Sequence, residues 1–351
     1  MNIKRPFLMY VGNTSVLVEI KTAAGVIEWC PEDVVGVYTT GPDALTFGKP
    51  VINDFKAAVA AGANTFVVGS SPTSGMIDES WIQMFFNAMD AGLDIACGLH
   101  EKLNDISFLV DYARKEGVVM HDFRHRDDVY PKGTGMKRPG LRLLTVGTDC
   151  ACGKKFTAIS IARECKKRGL AADFRSTGQT GYLISSSGIN NDTIPADFLS
   201  GAAEWLSPAN APDHWDVIEG QGALFHPAYA GGSLSLLMGS QPDLIVLCHD
   251  PAREKVRGPK GMDFKLMSLE EEIEGNLLMG SRTNPKIRLG AISINGRYAF
   301  PEGNTTAYLD YKEGLMERFG VPVFDPLVDG VSALVDVMAR MSLKAGHTSP
   351  A

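Results

Sequence analysis

Short runs of Val, Ile and Leu alternate with amphipathic stretches along most of this chain. Apolar runs of strand length without internal alternation are buried on both faces, and amphipathic segments between them supply helices that cover those faces. The pattern predicts an α/β protein built on parallel, doubly wound sheets. In the first part the predicted strands are residues 7–11, 34–38, 65–69, 94–98 and 117–120, with helical segments at 52–61 and 80–91. In the second part they are 141–146, 171–174, 215–218, 244–248, 288–294 and 321–323. Residues 130–140, rich in proline, glycine and positive charge, separate the two,. This predicts domains at 1–135 and 136–351, with a disordered tail at 344–351.

Composition narrows the partners. A chain of 351 residues has room for about two domains,. A net charge of -7 argues against nucleic acid and membrane surfaces, and leaves small molecules as the expected substrates,. Met1 to Pro6 run straight into a strand without an extended apolar segment, so a cytoplasmic protein is expected. A homo-oligomer is expected for an α/β enzyme of this size. The six cysteines, Cys30, Cys97, Cys150, Cys152, Cys165 and Cys248, show neither zinc spacing nor a disulfide framework and read as reduced thiols,. No metal is assigned.

The strongest chemical signal is Gly147-Thr148-Asp149-Cys150-Ala151-Cys152-Gly153-Lys154-Lys155, set between a strand and a helix. Such a turn gathers backbone N–H groups and the positive helix end around an anion, and Lys154 adds a point charge. Five residues separate the two glycines where four are usual,. This variant resembles the loop of P-loop enzymes of the dethiobiotin synthetase type. The residue after Lys154 should be Ser or Thr, whose hydroxyl holds magnesium on a triphosphate. It is Lys155, which keeps phosphate affinity and weakens the case for Mg-ATP chemistry unless Thr157 substitutes. Cys150 and Cys152, near a helix N-terminus and two lysines, could have lowered pKa values and carry an acyl group, or could simply be small residues in a tight loop.

Ligands of open α/β sheets collect at the carboxyl ends of strands. There the chain places Arg175 to Gly181, with Gln179 and Thr180, suited to an anionic or amide-bearing ligand or equally an ordinary polar loop. Glu219-Gly220-Gln221-Gly222 follows another strand, and Glu219 reads as metal ligand, general base or structural acid. His226 lies close behind with a pKa suited to proton transfer, although a lone histidine is more often structural. Arg253, Lys255, Arg257 and Lys260 could clamp carboxylates or phosphates, or form a charged surface loop. Asn295 ends a strand where P-loop folds contact a purine. In the first part, Val68 to Gly75 and Gly98 to Glu101 end strands and could line an amino-acid pocket.

Taken together, Gly147 to Lys154, Gly178-Gln179-Thr180-Gly181, Asn191-Asp192, Ile194 to Phe198 and Glu219 to Gly222 resemble the D-glutamate N-acetyltransferase family, P-loop proteins with a Rossmann-like N-terminal domain. Lys4 to Phe7 and Lys21 to Gly25 extend the likeness over almost the whole chain. The resemblance implies acetyl transfer from acetyl-CoA, a cosubstrate, to the amino group of D-glutamate. Coenzyme A carries phosphates for the P-loop, and thioester chemistry needs no magnesium hydroxyl ligand, so the loss of Ser/Thr is harmless on this reading. Glu219 or His226 would then be the base, glycine-turn amides would form the oxyanion site, and Arg253, Arg257 and Arg175, in that order, would meet the carboxylates. Residues 147–155 and Asn295 would hold the cosubstrate. The alternatives are an ATP- and magnesium-dependent ligase or kinase for a small carboxylate or amine, and a ligand-binding sensor without turnover.

Overall fold

A computed structural model describes residues 2–70, 75–125, 128–302 and 305–347. They fall into two compact units, Met1–Asp128 together with Gly178–Thr193, and Val129–Thr177 together with Ile194–Ala351.

The first unit is a five-stranded parallel sheet of β1 (Phe7–Gly12), β2 (Val34–Thr39), β3 (Thr65–Val68), β4 (Asp94–Cys97) and β5 (Met120–Asp122), in the order β2-β1-β3-β4-β5. Its helices are α1 (Lys21–Trp29), α2 (Phe55–Ala60), α3 (Trp81–Asp90) and α4 (Ser107–Glu116). Alternate side chains of β1 serve opposite faces. Leu8 and Tyr10 join Phe55, Phe85 and Leu109 in one core, whereas Phe7, Met9 and Val11 join Ala23 and Val26 of α1 in the other.

The second unit is a six-stranded parallel sheet with the order β11-β10-β9-β6-β8-β7, made of β6 (Leu141–Gly147), β7 (Ala172–Arg175), β8 (Trp215–Ile218), β9 (Leu244–His249), β10 (Arg288–Ile294) and β11 (Val323–Phe324). Helix α5 (Lys154–Lys167) follows β6 directly. After β7 the chain enters the first unit, where α6 (Gln179–Ser185) adds Tyr182 and Leu183 to the α1 core. It returns for α7 (Leu199–Leu206), α8 (Ala230–Ser240), α9 (Leu269–Ser281), α10 (Thr306–Phe319) and α11 (Ser332–His347). Ala158, Ile161 and Cys165 of α5 and Leu334, Val335 and Met338 of α11 pack beneath Leu143, Val217 and Val246. The P-loop strand β6 is central, between β9 and β8, so its loop opens among several strand ends,.

Most element bounds fall within one residue of expectation, and four differ by more, each for a local reason. The strand expected at 117–120 begins at Met120, because Gly117 takes φ 71° as the left-handed C-cap of α4,. The helix expected at 52–61 begins at Phe55, where the Asp54 carboxylate accepts from the Lys56 N–H at 3.0 Å,. The strand expected at 321–323 is Val323–Phe324, since Pro322 has no N–H to pair,. Helix α11 runs through His347, past the start of the expected tail, whose residues 348–351 lie outside the described residues. Ser71 to Ser74 of the Val68 to Gly75 turn also lie outside them.

Candidate active site

The loop after β6 closes tightly on itself. A Cβ on Gly147 would lie 2.5 Å from Cys152 Sγ and 3.1 Å from Lys154 Nζ, so only glycine fits. Gly153 caps α5 with φ 109°, and Ala151 takes the left-handed φ of 53° that non-glycine residues rarely adopt,. Lys154 is 7% exposed and its Nζ donates to the Asp149 carbonyl at 2.6 Å. Thr157 is buried one turn on, its hydroxyl 2.8 Å from Ser293 Oγ and approached by Cys248 Sγ at 3.6 Å. That side chain is turned into the sheet, so it does not stand in for the hydroxyl missing at Lys155.

Asp149 organises the loop. Its fully buried carboxylate accepts from the Cys150 N–H at 2.7 Å, from Arg253 Nη1 at 2.8 Å and from the Arg257 N–H at 2.8 Å. Arg253 also donates to the Cys150 carbonyl and to Asp250. The segment after β9 is thereby strapped to the P-loop by charge-assisted bonds. His226, 1% exposed, joins the same cluster. Its Nδ1 accepts from the Ala228 N–H at 3.1 Å, which places the proton on Nε2 for donation to the Arg257 carbonyl at 2.9 Å,. With both nitrogens engaged, this histidine acts as a latch between the loop after β8 and the strap, and has no nitrogen left to take a substrate proton. Asp149, Cys150 and His226 present atoms within 4.8 Å of one another. A metal would nevertheless have to displace the Arg253 pair and both histidine bonds, so this donor set does not fit one.

Other predicted residues divide. Glu219 is buried at the end of β8, where its Oε2 accepts from the Thr177 N–H at 3.1 Å. Gly220 beside it presses on the P-loop strand: a Cβ there would overlap the Thr145 carbonyl at 1.7 Å and reach Lys154 Cδ at 3.1 Å. Asn295 stands by the loop as well, its Cβ 3.9 Å from where a Gly153 Cβ would be. Arg175 is committed to Asp216 at 2.7 Å and Asp173 at 3.2 Å. Arg257 touches the loop through its backbone, and its exposed guanidinium makes no ion pair among the described residues. Gln179 and Thr180 lie on α6 in the first unit, where they contact Asp192 and Thr22. Burial pushes the Cys150 thiol up, outweighing Lys154, which runs against the expected activation. Cys152 Sγ donates to the Asp149 carbonyl at 3.0 Å.

One residue escaped the sequence reading. Glu272 on α9 is 1% exposed, its Oε2 has no hydrogen-bond partner among the described residues, and burial pushes its pKa up to about 7. Lys154 pulls that value down and Asp149 pushes it up, so the group lies within electrostatic reach of the loop. Asn276, one turn further on the same face, is also buried with an unpartnered Oδ1,. A polar stripe of Glu272 and Asn276 beside Ile273 was the available signal.

A parallel sheet with a phosphate-type loop on its central strand, joined to a second parallel α/β unit, defines a P-loop protein with a Rossmann-like companion domain. The family models agree: residues 131–335 match the DUF1611 P-loop domain and residues 38–126 its N-terminal Rossmann-like domain, both described as domains of unknown function. The chain belongs to the DUF1611 family. It is 41% identical to a D-glutamate N-acetyltransferase from a Pseudoalteromonas species, over 95% of this chain and 99% of that one. It is 39% identical to another D-glutamate N-acetyltransferase, from Tritonibacter scottomollicae, over 97% of this chain and 100% of that one. A crystal structure of a DUF1611 protein from Anabaena variabilis, 24% identical, has the same fold with a TM-score of 0.84 over 96% of this chain and 100% of its own.

Proposed function

We propose that this protein transfers acetyl from acetyl-CoA to the amino group of D-glutamate, with the P-loop amides and Lys154 holding a phosphate of the CoA. The observation that carries the reading is identity near 40% along nearly the full length of two enzymes of that name. The loop supports it: the position of the magnesium hydroxyl holds Lys155, and Thr157 is bonded to Ser293. Phosphate binding without triphosphate cleavage suits a thioester cosubstrate.

For the reaction, the substrate ammonium must lose a proton, the amine must attack the thioester carbonyl, and the thiolate must leave. His226 is engaged at both nitrogens, and the buried Asp149 and Asp250 are paired with Arg253, which leaves Glu219 and Glu272 as the candidate bases. Glu272, with its unpartnered oxygen and a pKa of about 7, suits proton abstraction near neutrality better than Glu219, whose Oε2 already receives an N–H,. The Gly220 N–H already donates to Thr145 Oγ1 at 2.9 Å, so the oxyanion donors on this reading are the amides of Gln221 and Gly222 in the same turn. Arg257, whose guanidinium makes no ion pair among the described residues, remains the cation for a substrate carboxylate, whereas Arg253 is held by Asp149 and Asp250 and Arg175 by Asp216 and Asp173. The test is thiol release from acetyl-CoA with D-glutamate, L-glutamate and no acceptor, run beside phosphate release from ATP with magnesium. Thiol release that depends on D-glutamate is expected; phosphate release without thiol would return the loop to nucleotide chemistry.

A further inference from the structure

The strap after β9 folds back as a short ribbon. Val256 N–H donates to the Phe264 carbonyl and Leu266 N–H to that of Glu254, both at 2.9 Å, and Lys255 faces Lys265 across an antiparallel bridge. Directly opposed residues share a face of a ribbon, and like charges there repel. Within the ribbon Asp263 offsets Lys255, and Lys265 makes no ion pair among the described residues. Both lysines line a cleft of about 490 Å³, a size typical of small-molecule sites, together with Arg318 and Tyr311 of α10,. His249 and Arg253 line it too, and these touch the P-loop: His249 Nδ1 is 3.4 Å from Thr148 Oγ1, and Arg253 holds Asp149.

The cleft therefore joins a phosphate-binding loop to a second cluster of cations, with apolar and aromatic walls alongside. Glu254 is the one acid among the described lining residues, against Arg253, Lys255, Lys265 and Arg318, and the acids paired with Lys255 and Arg318 from outside the lining are weak competitors. Lys255 pairs with Asp263 and Arg318 with Glu270, but both cations are more than half exposed, and such pairs exchange readily,. A P-loop and a separate cation cluster, with Tyr311, Leu266, Leu269 and Leu315 as the apolar lining, suit a ligand that carries a pyrophosphate, an aromatic ring and a further phosphate monoester. ATP, with contiguous phosphates, leaves the second cluster unused, and a bare dicarboxylate leaves the aromatic wall unused.

We propose that this cleft receives the 3′-phosphoadenosine end of the CoA donor, with Tyr311 against the adenine and Lys255, Lys265 and Arg318 on the 3′-phosphate. The inference rests on the acetyl-CoA reading above. It is tested by calorimetric binding of CoA and of 3′-dephospho-CoA to the full-length protein. Wild type should prefer CoA by about tenfold or more, as expected for charge-assisted contacts to one phosphate. Lys255→Ala with Lys265→Ala should erase the preference by weakening CoA alone, and Lys265→Arg should keep it. Equal affinity of wild type for both ligands would overturn the subsite and leave the donor reading intact, a result that needs no variant. Loss of D-glutamate affinity in the double variant, with the CoA preference unchanged, would assign the cleft to the acceptor and overturn the proposal. Binding of neither CoA form would remove the donor reading and this inference with it.

Discussion

At the end of β5 in the first unit, the Asp122 carboxylate accepts from the Leu103 N–H at 2.8 Å and from the Asn104 N–H and side-chain amide at 3.0 and 2.7 Å. After β6 in the second, the equally buried Asp149 accepts from one loop amide, one strap amide and a guanidinium. The first carboxylate closes a turn; the second assembles a loop that brings cations together. In the first unit Asn53 Oδ1 likewise serves backbone, accepting from the N–H of Thr39 at the end of β2. Polar groups near the strand ends of the second include Lys154, Glu219 and Asp250, all nearly buried, with Glu272 added from α9. Two parallel sheets wrapped by helices thus differ in chemistry because burying charge is tolerated only where partners, or a reaction, repay it.

The largest break of that comparison is Lys154→Ala, which removes the cation from the loop while keeping its backbone. We expect kcat/KM for acetyl-CoA to fall by about 10³-fold, as when a preorganised charge contact is lost. Steady-state kinetics check it, and a fall of less than about threefold would detach the loop from the reaction.

Next in size is Glu272→Gln. Because burial raises this pKa to about 7, the folded protein holds a proton that the unfolded chain releases near pH 4,. The group costs the fold nothing below the unfolded pKa, and stability is lost as pH rises from there through about 7. The glutamine variant should therefore be the more stable at pH 8, by up to about 3 kcal/mol, with the gap closing toward pH 4. Denaturant melts at both pH values measure this. The same variant should lose the acidic limb of the kcat–pH profile. A limb that survives in Glu272→Gln but disappears in Glu219→Gln would move the base to Glu219.

How far the sequence carries this reading depends on the scale of the signal. The strands were legible because doubly buried runs of Val, Ile and Leu are dense, and the P-loop because glycine and lysine spacing there answers a backbone requirement at Gly147 and Gly153. Glu272 was not, because Glu270-Glu271-Glu272 follows the capping residue Ser268 and reads as an acidic first turn that complements the helix dipole,. Only the phase of the helix separates the buried third glutamate from its two neighbours. The passage of residues 178–193 into the first unit was equally hidden, since nothing in composition distinguishes Thr177 from Gly178. His226 shows the converse: its residue type suits proton transfer, and the two bonds that engage its ring nitrogens are set by geometry that spacing does not show.

A smaller effect sharpens the contrast from the other side. Asp122→Asn removes charge from a carboxylate that serves three donors. It should lower stability by about 2 kcal/mol while leaving kcat/KM within about twofold. A variant with native melting behaviour and crippled turnover would give the first unit a chemical role at β5.

The smallest expected effect is a change in titration. Burial lowers the pKa of His121 in the first unit and of His249 in the second, the latter to about 4, where Asp250 opposes the shift and Arg253 adds to it. The His249 ring should stay neutral at pH 6, and the His121 ring should titrate below the ordinary histidine range, as followed by the C2 proton signals of the imidazoles,. The two differ in what can reach them. His121 faces Asp94, which Lys4 already neutralises, whereas His249 lines the cleft beside the P-loop. An anion entering that cleft stabilises the imidazolium and must raise the His249 pKa. Saturating CoA should therefore move the His249 titration upward and leave His121 where it was. Equal movement of both signals would mean that the ligand acts on the whole fold, and no movement of either would place its phosphates away from the end of β9.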